Sequence, residues 1–284
     1  MKRILVIGGT GTVGRQVVSQ LLQRGEPVRV MTRNPEDAGF PPQVEVVCGD
    51  LTVPDTLEAC LQNIGAVFLV WVAPPPSVVS AIERIARHAR RIVFLSAPLK
   101  TAHPLFQQPN PGRSLGLQIE RQIEASGIPW TFLRPGMFAP NAKEWWGPQI
   151  RAGQPVRWPC LEVPTAPIDE RDIAAVGILA LCEDGHAGAE YVLTGPESLS
   201  QLEQVRTIGG VIGRSLQVEG ISPDEARREL LSIMPAPVIN MLLDAWIAAK
   251  GRPAFVSSTF EEITGMQPRS FLTWATDNAA QFRA

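Results

Sequence analysis

The stretch "RILVIGGTGTVGRQVVSQLLQRG", residues 3–25, carries the reading of the fold. After Arg3, residues 4–7 form an unbroken apolar run rich in β-branched side chains, the mark of a strand buried on both faces. From Val13 onward the apolar residues Val13, Val17, Val18 and Leu21 or Leu22 recur on one side of a helix. Between the two lies a glycine turn, with Gly8, Gly11 and Gly14 in the spacing G-x-x-G-x-x-G. Each glycine has a physical task there. Gly8 permits the tight turn, Gly11 lets backbone N–H groups approach a pyrophosphate, and Gly14 allows close helix–strand contact. The helix N-terminus adds its positive dipole. Residues Gly8, Gly9, Thr10, Gly11, Thr12, Val13 and Gly14 are therefore the predicted phosphate-binding turn of a dinucleotide cofactor.

Outward from this unit the alternation repeats. Strands are predicted at "PVRVMTR", "VEVVCGD", "AVFLVWV" and "RIVFLSAPL", and helices at "PDTLEACLQNI" and "VVSAIERIARHARR". Residues 111–125 form a helix striped by Leu115, Ile119 and Ile123, ended by Ser126-Gly127, and "WTFLRP" follows as a sixth strand. Strands alternating with helices of this length imply right-handed crossovers. The expected class is α/β, a doubly wound parallel Rossmann sheet with a small, mainly helical C-terminal substrate lobe. The rhythm changes after Phe138, where proline and tryptophan abound. Two capping boxes, Ser200…Glu203 and Ser222…Glu225, announce later helices. The predicted division is a Rossmann core over 1–137 and 165–194, with 138–164 and 195–284 covering the substrate.

Composition narrows the function. Of 284 residues, 45% are hydrophobic and 19% charged, and the formal net charge is −2 with no Lys/Arg run. Nucleic acid is not an expected partner, because a clustered basic face is missing. Cys48, Cys60, Cys160 and Cys182 lack metal-ligand spacing, so no metal is expected and the thiols read as reduced. No apolar stretch approaches the ~20 residues a membrane span needs. "KRILVIGG" turns to glycine after one strand, unlike a signal peptide. A cytoplasmic protein acting on a small molecule is the expectation.

The strand ends supply the remaining cofactor-site candidates. The second strand ends in Arg33, where a carboxylate would select NAD through the ribose 2′-hydroxyl. An arginine instead pairs with the 2′-phosphate, so NADP is favoured over NAD. Glu36 and Asp37 fall past the ribose. Asp50 and Leu51, after the third strand, are expected to flank the adenine, with a turn-capping role as the alternative for Asp50. Val72 and Ala73 after the fourth strand, Ser96 after the fifth, and Pro135, Gly136 and Met137 after the sixth complete the set.

The glycine turn, "RNP" after the second strand, "GDL" after the third and "ASGIPWTFLRPGMF" give the chain a resemblance to the NmrA-like family of atypical short-chain dehydrogenases/reductases. "EYVLTGPESLSQLEQVRTIGGVIGR" and "ITGMQPRSFLTWATDNAAQF" extend that resemblance over nearly the whole length. It implies a Rossmann core with a discontinuous lobe closing a substrate pocket. It also exposes a departure. Catalytic short-chain dehydrogenases carry Tyr-x-x-x-Lys on the helix before the sixth strand, and the matching positions here are Gly112 and Gly116. The single tyrosine, Tyr191, lies elsewhere. Ser96 matches the family's serine and is a weak catalytic candidate as hydroxyl donor. His103, in the loop after the fifth strand, is the other. General acid catalysis typically contributes about 10²–10⁴-fold, so a ketone reductase built this way is short of a proton. The resemblance then implies an NADPH-dependent reductase of an aromatic or conjugated acceptor, such as a quinone or azo compound. Phe138, Trp145, Trp146 and Trp158 are its expected substrate-pocket residues. The alternative is a non-catalytic NADP(H)-binding redox sensor passing cofactor state to a protein partner.

Overall fold

The apolar runs pair into one sheet. In the computed structural model, which describes residues 2–108 and 111–283, these are β1 (Arg3–Ile7), β2 (Val28–Thr32), β3 (Glu45–Cys48), β4 (Ile64–Val70), β5 (Arg91–Leu95) and β6 (Trp130–Pro135). They stand in the order β3-β2-β1-β4-β5-β6, with Ala189–Leu193 as a seventh strand on the β6 edge. The pairings among β1–β6 are all parallel. The chain winds outward from β1 to β3, then returns past β1 to continue through β4, so the order reverses between β1 and β4. Ligands of open α/β sheets bind at such a reversal, outside the carboxyl ends of the strands.

The helices in the first part of the chain are α1 (Thr12–Gln23), α2 (Leu57–Leu61), α3 (Val78–His88), α4 (Pro104–Gln107) and α5 (Pro111–Ala125). Alternation along β1 sends Leu5 and Ile7 to one face, where Val67, Leu69, Ile92, Phe94 and Phe132 join them. Leu57 of α2, Ile82 and Ile85 of α3, and Ile119 and Ile123 of α5 cover that face. The apolar stripe predicted for residues 111–125 is thus the buried side of α5, and Gly127 ends the turn at φ +73°. On the opposite side α1 packs against the helix Glu170–Cys182, and Gln20 Nε2 donates to Arg171 O at 3.0 Å. Gly177 lets that second helix lie close on the sheet, since a Cβ there would stand 3.0 Å from the Phe68 ring and 3.2 Å from Leu133.

Two compact units emerge. The first comprises residues 2–97, 111–135 and 170–192 and holds the sheet; the second comprises 98–108, 136–169 and 193–283 of the described residues. The core of the second is aromatic, with Trp146, Trp158, Trp246, Trp274, Phe271 and Phe282 fully buried. Both predicted capping boxes are formed. Ser200 opens the helix Gln201–Val211 and Ser222 opens Pro223–Glu229, each with reciprocal side-chain and backbone bonds. The division differs from the predicted one over 98–108, because Leu105 and Phe106 pack into the core of the second unit. It differs again over 165–169, where Thr165 Oγ1 accepts from Gln204 Nε2 at 2.9 Å.

Candidate functional site

The predicted cofactor residues of the first unit follow the carboxyl ends of the parallel strands, along the edge where the sheet order reverses. The glycine turn follows β1, Arg33 follows β2, Asp50 and Leu51 follow β3, Val72 and Ala73 follow β4, and Ser96 follows β5, with Pro135 closing β6. Parallel pairing puts all these ends on one edge.

The turn after β1 combines tight packing below with open space above. Gly8 takes φ +84°, and a Cβ on it would meet Val70 Cβ at 2.7 Å. A Cβ on Gly14 would stand 2.1 Å from Gly8 O, so only glycine lets α1 start this close to the turn. Gly11 is different: a Cβ there would touch nothing nearer than Gly8 O at 3.4 Å. Its missing side chain therefore leaves room above the backbone rather than within the fold. No side chain caps α1 and no acidic residue lies in its first turn. Its leading N–H groups and positive dipole end are left for an anion, which is what a pyrophosphate would need. Thr10 and Thr12 are exposed, whereas Val13 is buried, so Val13 can offer a ligand its backbone only.

Arg33 is exposed, and its guanidinium makes no hydrogen bond or ion pair among the described residues. It lies near Asp50, whose carboxyl is held below its ordinary range by the backbone N–H and then the hydroxyl of Thr52, with Arg33 contributing charge. Those bonds, at 2.8 and 2.9 Å, make Asp50 a turn-capping residue. Leu51 has its side chain 3% exposed within the core, so, like Val13, it can offer a ligand its backbone only. Val72 is 74% exposed, a large apolar side chain left open beside the β4 end. Ala73 is buried and its carbonyl accepts from Trp71 Nε1 at 2.6 Å. Sequence reasoning missed Arg15, which reaches from α1 to Thr10 O and Ala38 O and lies over the Phe40 ring, tying down the loop after β2.

The ends of β5 and β6 hold an arrangement that no motif announced. Ser96 N donates to Leu133 O, and its Oγ donates to Glu120 Oε1 at 2.7 Å. Glu120 also accepts from Arg134 Nε at 3.0 Å and from Nη2 at 2.8 Å, and Arg134 pairs further with Glu190. Both Glu120 and Arg134 side chains are only 2% exposed. This overturns Ser96 as a free hydroxyl donor, because its one proton is already committed inward. Gly112 and Gly116 lie on α5 as expected.

In the second unit the remaining candidates are mostly structural. His103 is corrected as a proton donor: Nδ1 accepts from Leu105 N at 3.3 Å and Nε2 stands 3.1 Å from Pro253 O. A carbonyl can only accept, so Nε2 donates to Pro253 O while Nδ1 caps α4, and the ring anchors its loop. Trp146 and Trp158 are fully buried, and Trp158 Nε1 donates to Gln201 Oε1 at 2.6 Å. They are core, not pocket lining. Trp145 and Phe138 are half-buried. The Trp145 ring stacks on Trp158 at 5.3 Å and meets Trp246 edge-on at 5.7 Å. Gly136 N donates to Leu193 O, and the Met137 carbonyl accepts from Ile168 N. Among the described residues no helix is long and apolar enough to cross a membrane, and no group of His, Cys, Asp or Glu could hold a metal.

A parallel sheet reversing between β1 and β4, with a bare helix N-terminus above an open glycine, defines a dinucleotide-binding protein of the Rossmann class. Comparison with known proteins agrees. The NAD(P)H-binding family matches residues 8–181. The chain is 36% identical to the (4-alkanoyl-5-oxo-2,5-dihydrofuran-3-yl)methyl phosphate reductase of Streptomyces griseus, over 98% of this chain and 99% of that protein. It is 32% identical to the NAD(P)H azoreductase of Xenophilus azovorans, over 99% of each. The crystal structure of an NADPH-dependent quinone oxidoreductase from Escherichia coli in complex with NADPH shares the fold. There the TM-score is 0.81 at 20% identity, over 97% of this chain and 99% of that one. The protein belongs to the NAD(P)H-binding, NmrA-like family of atypical short-chain dehydrogenases/reductases.

Proposed function

We propose that the protein is an NADPH-dependent reductase of a small, electron-poor aromatic or conjugated acceptor, such as a quinone or an azo compound. One observation carries the reading: none of the candidate proton donors is available. Gly112 and Gly116 occupy the dyad positions, the Ser96 proton is given to Glu120, and both ring nitrogens of His103 are engaged. Without an acid worth about 10²–10⁴-fold, an isolated ketone is a poor substrate. A conjugated π-system spreads the electron pair it receives, and its product can take a proton from water. NADPH, when bound, supplies the hydride. The protein's part is to seat the pyrophosphate on the Gly8–Gly14 turn, to orient the two reactants and to exclude water. Arg33, with its guanidinium unpaired, favours the 2′-phosphate of NADPH. Relatives support this choice of acceptor: one is named for reducing azo compounds, and another for a dihydrofuranone whose ring double bond is conjugated to two carbonyls.

The test is NADPH consumption across a panel of quinones, azo dyes, imines, conjugated enones and simple ketones. Turnover of the conjugated acceptors with simple ketones at least ~100-fold slower is expected, with little change between about pH 6 and pH 8 because no titrating acid is required. Strong ketone turnover dependent on His103 overturns the proposal. Binding of NADPH with silence across the panel assigns the chain to the redox-sensor reading instead.

A further inference from the structure

We propose that Ser96 faces the cofactor as a hydrogen-bond acceptor only, its proton held by Glu120, and that the group it receives is the carboxamide N–H of the nicotinamide. This rests on the NADP(H)-binding reading above. The direction of the Ser96–Glu120 bond follows from its neighbours. A guanidinium has donors and no acceptor, and it keeps its proton in proteins. Arg134 donates to both oxygens of Glu120, through Nε at 3.0 Å and Nη2 at 2.8 Å. That bidentate geometry holds Glu120 as a charged carboxylate with two accepting oxygens. A carboxylate has no proton to give. The one proton in the 2.7 Å contact is therefore the hydroxyl's own, directed into a pair whose side chains are each 2% exposed. Toward the sheet edge Ser96 then presents lone pairs alone.

The ligand group follows from the layout of the edge. A pyrophosphate on the β1–α1 turn, with the adenosine half toward Arg33 after β2, leaves the nicotinamide half over the ends of β4, β5 and β6. Ser96 ends β5 and is fixed there by its backbone bond to Leu133 O at 2.8 Å. On the nicotinamide ring the carboxamide nitrogen is the sole hydrogen-bond donor, and the acceptor-only hydroxyl matches it. Glu120 is the positioning residue: it touches no ligand, and it sets which way Ser96 faces. The family's serine is reversed in polarity, from a donor for a substrate carbonyl to an acceptor for the cofactor.

The experiment is calorimetric binding to the intact protein of NADP⁺ and of its 3-acetylpyridine analogue, which replaces the carboxamide NH₂ by methyl. The unmodified protein is expected to bind the analogue about 5- to 20-fold more weakly, the size of one net hydrogen bond to an electron-rich acceptor. In Ser96→Ala the discrimination falls within about twofold, and Ser96→Thr restores it. Glu120→Gln, checked for a cooperative melt, frees the hydroxyl to turn and lowers the discrimination as well. Should that variant not fold, the Ser96 pair decides. Equal affinity for the two ligands in the unmodified protein, or undiminished discrimination in Ser96→Ala, overturns the proposal. Full discrimination in a folded Glu120→Gln removes the role given to Glu120. Failure of both NADP⁺ and the analogue to bind at all would instead refute the cofactor reading.

Discussion

Gly11 and Gly14 lie three residues apart in one turn, yet the same alanine substitution should affect binding at one and folding at the other. At Gly14 a Cβ lies 2.1 Å from Gly8 O and 2.8 Å from Gly9 Cα, both backbone atoms that cannot swing aside. The contact must open by more than about 1 Å, which moves α1 off the sheet; overpacking of this kind typically costs ~1–3 kcal/mol or more. Replacing a helical glycine returns up to ~1 kcal/mol of helix propensity and offsets only part of that. At Gly11 the backbone has φ −81° and ψ 175°, which any residue adopts, and the nearest atom to a Cβ is Gly8 O at 3.4 Å. The fold should tolerate Gly11→Ala, or gain ~0.4–1 kcal/mol from a less flexible unfolded chain. Binding is where it shows. A hydrogen bond to a charged group contributes ~1.5–3 kcal/mol, and a methyl that lifts the pyrophosphate off the turn loses one or two of them. The expected loss in NADPH affinity is thus at least ~10-fold and up to ~10³-fold. Thermal melts and calorimetric titrations of both variants make the comparison. Unchanged NADPH affinity in folded Gly11→Ala would refute the reasoning, for the open space above Gly11 would then serve no ligand.

Two further outcomes follow from unpaired and overpaired arginines. Arg33→Glu should reverse the preference for NADPH over NADH by at least ~10-fold, measured by titrating both, because it sets a carboxylate against the 2′-phosphate; equal affinities in the unmodified protein would remove the basis for it. Arg134→Met should lower stability by ~3–5 kcal/mol, since it leaves the Glu120 carboxylate buried without its bidentate partner. For a chain of this size that is a fall of about 6–20 °C in the melting temperature, and a fall under about 2 °C would show the pair contributes little.

The sheet was legible because its strands carry their own signal. β1, β4 and β5 are nearly continuous apolar runs, which only a strand covered on both faces needs. α5 was legible through Leu115, Ile119 and Ile123, and the two capping boxes through serine and glutamate at fixed spacing. The segment 98–108 was not. "TAHPLF" has no period, and its place is set by Leu105 and Phe106 reaching a core built mostly from residues beyond 136. The tryptophans failed for a related reason. Composition marks "WW" as aromatic, but a ring that stacks on a flat ligand and a ring that fills a core have the same letter. Trp146 became core when Trp158 closed on it, a contact more than ten residues away in sequence, with Trp246 packed behind Trp158.

The Ser96–Glu120–Arg134 arrangement shows what a physical reading of the letters could have added. Glu120 sits between Ile119 and Arg121 on an amphipathic helix and reads as one more polar residue of the solvent side. Arg134 is the better clue. It interrupts "WTFLRP", a strand otherwise made for burial, and a charge inside such a strand demands a partner brought by another element. The nearest acid able to reach it lies on the helix that crosses back onto the same sheet, and that is where Glu120 stands, 2% exposed. Once that pair forms, the serine between β5 and β6 has a carboxylate to satisfy and turns its proton inward. If the proposed reading holds, a site with no outward proton does not polarise a ketone, and it favours acceptors whose own conjugation carries the charge.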